Sequence, residues 1–165
     1  MKTHFSRSLF CAFVFFSASV FSQTSEMVKL LNNHLQNDLE IKTEYNHFGD
    51  TIKIVKPYTV IGDILKVELE YKGENGHYIE QQEVPLNKII AIGKDINVIL
   101  DTEESAVKIN RKYIGKSSVE PEYYGANNMF FTGIRFQKHN KHFGEALQKA
   151  FEKAGYRIEL GSWYD

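Results

Sequence analysis

The stretch LKVELEYK, residues 65–72, decides the fold, because apolar and charged side chains alternate along its whole length. Successive side chains of a β-strand point to opposite faces, so this period of two predicts a strand with one face on the core and the other in water. The sequence GENG, residues 73–76, follows at once, and its Asn-Gly pair favours a tight hairpin turn because both residues tolerate a positive φ. Residues 77–83 are therefore predicted to return as the second strand of a hairpin.

Short apolar segments on both sides of this hairpin predict a β-rich region. Residues 51–55 form a predicted strand that ends at Lys56 and Pro57, because proline cannot donate a hydrogen bond within a sheet. The other predicted strands are residues 88–92, 96–100, 106–110 and 129–137. Residues 111–128 show no period and are expected to form a loop of about eighteen residues, long enough to be functional.

Two amphipathic helices flank this region. The first is expected to end between Asp38 and Ile41, and its apolar face includes a histidine: Met27, Leu30, Leu31, His34 and Leu35. The apolar face of the second consists of Phe143, Ala146, Leu147, Ala150, Phe151 and Ala154. Asn140 and Gly155 are its predicted N-cap and C′ residues. His34 is expected to be partly buried and hydrogen-bonded, and the tail from Tyr156 to be extended.

Residues 1–22 have the composition of a cleavable secretory signal peptide. Lys2 and Arg7 precede an apolar run, LFCAFVFFSASVF, at residues 9–21. This run is too short for a membrane-spanning helix, which takes about 20 apolar residues, and matches the apolar region of a signal peptide. Cleavage is expected after Ser22, and the alternative is an uncleaved N-terminal anchor. The protein is therefore predicted to be exported, as a periplasmic or secreted protein, with no transmembrane span once the signal is removed.

The charge and cysteine content of the mature chain exclude several functions. Residues 1–22 hold two of the 20 Lys and Arg and none of the 21 Asp and Glu, so the mature net charge is −3. This acidic excess argues against nucleic acid as a partner, since phosphate binding needs a basic surface. The single cysteine, Cys11, lies within the signal, so the mature chain offers no disulfide, catalytic thiol or cysteine metal ligand. No cofactor is predicted.

Two passages of the chain resemble a known architecture. They are VPLNKIIAI, residues 84–92, and a last strand at residues 130–136 followed by a helix at residues 143–151. From about Thr51 to Gly155 the chain resembles a pleckstrin-homology-like domain, in which a bent antiparallel β-barrel of seven strands is capped by the terminal helix. The pattern also resembles small exported bacterial proteins built in this way.

The resemblance implies an α+β fold with about seven strands in hairpin succession and an extra N-terminal amphipathic helix. The implied organisation is a signal peptide at residues 1–22, the helix and a connector at 23–50, and the barrel with its helix and tail at 51–165. The phosphoinositide site of such domains is not expected, because it uses several Lys and Arg in the first hairpin loop. Here that loop, KPYTVIGD at residues 56–63, holds one basic and one acidic residue.

The aperiodic segment 111–128 is the candidate binding surface. Its tyrosines and nearby lysines are the predicted contacts for an unknown protein or small ligand: Lys112, Tyr113, Lys116, Tyr123 and Tyr124. Tyrosine supplies amphipathic contact area at a low cost in side-chain entropy. The alternative is that these rings pack onto the rim of the barrel.

His139, His142 and Glu145 are weak candidates for a metal site, because two imidazoles and a carboxylate follow one another at intervals of three. The spacing differs from that of the His-Glu-x-x-His motif, and a solvated first helical turn is the alternative, so no metal is predicted. The sequence has neither a G-x-S-x-G elbow nor a glycine-rich phosphate loop, and no catalytic residue is assigned.

These observations favour a non-enzymatic, exported binding or interaction module. The alternative is a lipocalin-like carrier of a small apolar ligand, although lipocalins have about eight up-and-down strands and Phe130 and Phe136 are expected to fill the interior here. A metal-dependent hydrolase built on His139, His142 and Glu145 is the third hypothesis. The N-terminal helix is expected to pack on its own domain, with another subunit or a membrane surface as alternatives.

Overall fold

A computed structural model describes residues 24–41, 51–74, 76–115 and 122–164, with only the backbone at 122–124. The predicted signal peptide, the connector after the first helix, Asn75 and Lys116 lie outside the described residues. Within the described part, neither helix combines the length and the apolar composition that crossing a bilayer requires.

The described residues form two α-helices and nine β-strands, which confirms the α+β class and both predicted helices. Helix α1 spans residues 24–40 and helix α2 spans Lys141–Lys153. The strands are β1 Thr51–Ile61, β2 Ile64–Gly73, β3 Gly76–Pro85, β4 Ile89–Lys94, β5 Val98–Thr102, β6 Val107–Tyr113, β7 Glu122–Asn127, β8 Met129–Phe131 and β9 Glu159–Trp163.

The strands pair in two sheets rather than in one hairpin succession. The first sheet has the order β1-β2-β3-β6-β7 and is antiparallel, and the second has the order β8-β5-β4-β9, in which β9 runs parallel to β4. The 3₁₀ turn Leu86–Lys88, with Leu86 buried, leads the chain out of the first sheet, so that β6 pairs with β3. The expected order of hairpins is therefore wrong after β3, and the pairings of the described strands do not close a barrel.

The predicted hairpin is confirmed at β2 and β3. Gly73 pairs with Gly76, and Leu65, Val67 and Leu69 are buried as the alternation requires. These buried side chains define the inner face of the five-stranded sheet. The preceding strand is longer than predicted, because β1 continues through Pro57. Pro57 is tolerated there since β1 is an edge strand and Pro57 lies within the register irregularity between Lys56 and Thr59.

Nine of the twelve described residues within the expected loop at 111–128 are in strands. β6 runs on to Tyr113 and pairs with β7, and a register shift lies between Ile109 and Asn110. Gly125 of β7 has a φ of 138°, and this irregular pairing hides the period of two from the sequence. Conversely, the strand predicted at residues 129–137 ends at Phe131, and the N–H groups of residues 135–137 bond to the Asp38 carboxylate of α1 instead of to a neighbouring strand.

Helix α1 packs on its own domain, as expected. Met27, Leu31 and Leu35 are completely buried. The Asn32 amide accepts the backbone N–H of Tyr58 at 2.7 Å and donates to its C=O at 3.0 Å. This pair of bonds satisfies the backbone of an edge strand, so α1 covers part of the β1 edge.

Helix α2 begins and ends near the predicted residues. Gly155 follows it with a φ of 90°, and the N–H of Tyr156 donates to the C=O of Phe151, which completes a glycine C-terminal motif. Asn140 occupies the N-cap position but makes no capping bond with its side chain. Its Oδ1 instead accepts hydrogen bonds from the buried Nζ of Lys94 and from Nε1 of Trp163, which ties the start of α2 to β4 and β9.

Candidate binding site

Three tyrosines stand side by side across the five-stranded sheet. Tyr71 of β2 pairs with Tyr78 of β3, which pairs with Tyr113 of β6. The ring centres are 5.3 Å apart in the first pair and 5.6 Å apart in the second. Neighbouring strands thus place one ring each at the same level of the inner face, and we call these residues the tyrosine row.

A buried ion pair lies one level below the tyrosine row. Glu80 pairs in register with Arg111, and Nε of Arg111 donates to Oε2 of Glu80 at 2.6 Å. The guanidinium carbon of Arg111 lies 4.8 Å from the centre of the Tyr78 ring, within the range of a cation–π contact. Glu80 is only 7% exposed and the Arg111 side chain is 20% exposed, so the pair is largely shielded from water.

The next level carries Gln82, which connects the two sheets. Its Nε2 donates to the C=O of Phe131 and its Oε1 accepts the N–H of the same residue, each at 3.1 Å. Nε2 also lies 3.0 Å from Oε1 of Glu80. A continuous polar network therefore runs from the tyrosine row down to β8.

Burial and the charges of nearby residues both act on the phenol of Tyr71. Burial raises its pKa well above the ordinary value of 10.0, and the Glu80 charge raises it further. Arg135 and Arg111 act in the opposite direction. Since burial dominates, Tyr71 keeps its proton at neutral pH.

Helix α1 fixes the segment that carries Arg135. The buried carboxylate of Asp38 accepts the backbone N–H groups of residues 135–137 at 2.8, 2.8 and 2.9 Å. Burial raises the pKa of Asp38, while these hydrogen bonds and the Arg135 charge lower it. Nδ1 of His34 also bonds Oε1 of Gln137 at 2.8 Å, which confirms that His34 is partly buried and hydrogen-bonded.

Of the residues that the sequence grouped at 111–128, the structure describes the side chains of Lys112 and Tyr113 and only the backbone of Tyr123 and Tyr124. Tyr113 lies in the tyrosine row, whereas the neighbouring Lys112 is exposed. Tyr123 and Tyr124 lie in β7, where the backbone of Tyr123 pairs with Asn110. The proposed binding role of these residues stays a prediction.

Sequence reasoning missed most members of this cluster. Tyr78 and Glu80 could have been found, because the Gly73–Gly76 pair and strict alternation fix their position opposite β2. Arg111 could not, because its place depends on the pairing of β3 with β6. Arg135 follows an irregular segment that gives no periodic signal.

The weak metal candidates are not assembled into a site. His139, His142 and Glu145 are all exposed, and His139 has a φ of 52°. Among the described residues, no group of three or more His, Cys, Asp or Glu lies close enough to hold a metal ion.

A cleft of about 760 Å³ lies elsewhere, between the end of α2 and the strands β4 and β9. Its charged lining residues are Glu152, Arg157 and Glu159, and all three are exposed. The cleft thus lacks the buried polar network that distinguishes the tyrosine row.

Comparison of the chain with protein-family models, with curated proteins and with solved structures finds no match in any of the three. The function is therefore inferred from the geometry of the site.

Proposed function

We propose that the chain is an exported, non-enzymatic binding module whose ligand contacts the tyrosine row. The observation that supports this most is the alignment of three tyrosines in register above the Arg111–Glu80 pair. Rings held by their neighbours lose little freedom when a ligand binds, so the half-buried Tyr71 and Tyr113, on either side of the buried Tyr78, are preorganised for contact.

The composition of the inner face supports a functional reason for this cluster. At the other end of the same face, stability is supplied by buried apolar side chains such as Leu65, Val84 and Val107. A buried ion pair like Arg111–Glu80 is often no more stabilising than apolar residues of similar size. The polar side chains at this end of the sheet are therefore not required for the stability of the fold, as expected of residues that serve binding.

The pleckstrin-homology-like architecture is part of the proposal. It is supported by an amphipathic α2 that follows the last antiparallel strand and buries Phe143, Leu147 and Phe151. The parallel strand β9 is an addition to that pattern. A surface site also suits the filling of the centre by Tyr58 and Phe130, which favours a binding module over a lipocalin-like carrier.

A fragment screen of the mature chain, residues 23–165, by ligand-observed NMR tests this function. Fragments that bind the wild type are expected to bind Tyr113→Leu about 3- to 10-fold more weakly, because a lost aromatic contact is worth roughly 0.5–1.5 kcal/mol. Tyr164→Leu is the matched control, since Tyr164 is 64% exposed and lies beyond β9. Unchanged affinity in Tyr113→Leu, or no binder for the wild type, contradicts the proposal.

A further inference from the structure

We propose that Arg135 binds a carboxylate of the ligand through the Nε–Nη2 edge of its guanidinium group. This inference rests on the proposed binding at the tyrosine row and names the chemical class of the ligand, a small organic acid. It is carried by the hydrogen-bonding state of Arg135 and by the groups around it.

The two donors without a partner belong to one edge of the guanidinium. Within the described part of the chain, Nε and Nη2 of Arg135 are buried and neither has a hydrogen-bond partner. In arginine these two N–H groups point the same way, at a spacing that matches the two oxygens of a carboxylate. The unused donors therefore form one complete bidentate site.

The buried carboxylates of this region are committed to other donors. Glu80 accepts from Arg111, and Asp38 accepts three backbone N–H groups. A buried donor that is left unpaired is unfavourable, and such a group calls for an acceptor from outside the chain. Because Arg111 already has its acidic partner, Arg135 is the guanidinium that remains to receive an anion.

The position of Arg135 is fixed in advance. Its backbone N–H is held by Asp38 at 2.8 Å, and its guanidinium carbon lies 5.7 Å from the centre of the Phe136 ring. A Cβ added to Gly133, two residues earlier, would lie 3.0 Å from Cδ1 of Leu69, so the segment that carries Arg135 passes over the inner face of β2 two residues from Tyr71. A carboxylate bound to Arg135 would direct the organic part of the ligand toward the aromatic rings. An inorganic anion has no organic part and would not contact these rings.

Titration calorimetry with benzoate, benzyl alcohol and inorganic phosphate tests the inference. Benzoate is expected to bind the wild type at least tenfold more tightly than benzyl alcohol, which has the same ring without the carboxylate. Arg135→Lys keeps the charge and loses the planar fork, so benzoate is expected to bind it about tenfold more weakly. The matched control is Arg157→Lys, because Arg157 is exposed in the cleft by α2 and should leave benzoate binding unchanged.

A spectroscopic measurement on the wild type avoids dependence on a variant that fails to fold. The Nε–H resonance of Arg135 is expected to shift downfield when benzoate is added and to stay in place with benzyl alcohol. A resonance that does not move, or equal benzoate affinity in wild type and Arg135→Lys, overturns the inference. Phosphate that binds as tightly as benzoate and with the same dependence on Arg135 also overturns it, in favour of an inorganic anion.

Failure of this inference is distinguishable from failure of the proposed function. Benzyl alcohol or neutral fragments could bind with an affinity that Tyr113→Leu lowers, while benzoate binds no more tightly than benzyl alcohol. In that case the tyrosine row binds ligands and Arg135 does not select acids. If the fragment screen finds no binder that depends on Tyr113, the binding surface itself is wrong.

Discussion

Single side chains of α1 replace the hydrogen bonds that a longer strand would have made after β8. Asp38 accepts the N–H groups of three successive residues, and the side chain of Gln137 bonds His34. The segment that carries Arg135 is therefore held by a helix about a hundred residues earlier in the chain.

Among single residues, His34 is expected to make the free energy of unfolding depend on pH. Burial lowers its pKa below the ordinary 6.5 and His142 adds repulsion, while Gln137 and Asp38 oppose the shift. The folded protein thus binds a proton at His34 less readily than the unfolded chain. The free energy of unfolding is expected to hold its full value above that ordinary pKa and to decline as the pH falls below it.

Urea denaturation from about pH 8 down to pH 5 measures this decline, because the unfolded histidine titrates near 6.5 and the folded one below it. His34→Gln is expected to flatten it, because glutamine does not titrate. His139→Asn is the control, since His139 is exposed and asparagine tolerates its positive φ. An equally steep decline in His34→Gln would rule out His34 as the cause.

At the level of elements, the contact between α2 and β9 depends on a glycine. A Cβ added to Gly144 would lie 2.8 Å from Cη2 of Trp163 and 3.1 Å from Cδ1 of Leu160. Gly144→Ala is therefore expected to cost about 1–3 kcal/mol of stability through overpacking. Trp163 is the only tryptophan of the chain, so a red shift of its fluorescence would report that β9 has moved away.

Gly161→Ala is the matched control, because Gly161 lies in β9, the strand that also carries Trp163. The nearest atom to its added Cβ is the C=O oxygen of Ile92 at 3.5 Å, which is an ordinary contact. This variant should keep the wild-type emission and melting temperature. Equal emission and stability in Gly144→Ala and the wild type would show that α2 and β9 do not pack as closely as described.

Local elements could be predicted from the sequence, and non-local pairings could not. The alternation at residues 65–72 and the turn after it determine the register that brings Tyr71 opposite Tyr78. The pairing of β3 with β6 skips two strands, and the parallel pairing of β9 with β4 joins residues far apart in the chain. For the same reason Tyr113 was proposed for binding without its partners, and Arg135 was missed.

At the scale of the whole molecule, the proposed export predicts that residues 1–22 are removed from the chain. When the full sequence is expressed in a bacterial host, the intact mass of the protein from the cell envelope is expected to correspond to residues 23–165. This mass is expected because cleavage is predicted after Ser22, where the small residues Ser22 and Ser19 stand at the first and fourth positions before the bond. A full-length mass recovered with the membranes would instead favour the uncleaved anchor.

The bonds between Asp38 and residues 135–137 span 97 to 99 positions of the chain. They cannot form until residue 137 has left the ribosome, and β9 follows later still. Contacts of such sequence separation slow folding, because a large loop must close before they contribute. The packing of α1 against residues 135–137 is therefore expected to be completed only when synthesis is nearly finished, and a chain that has not yet packed can be threaded through the narrow channel that the proposed export requires.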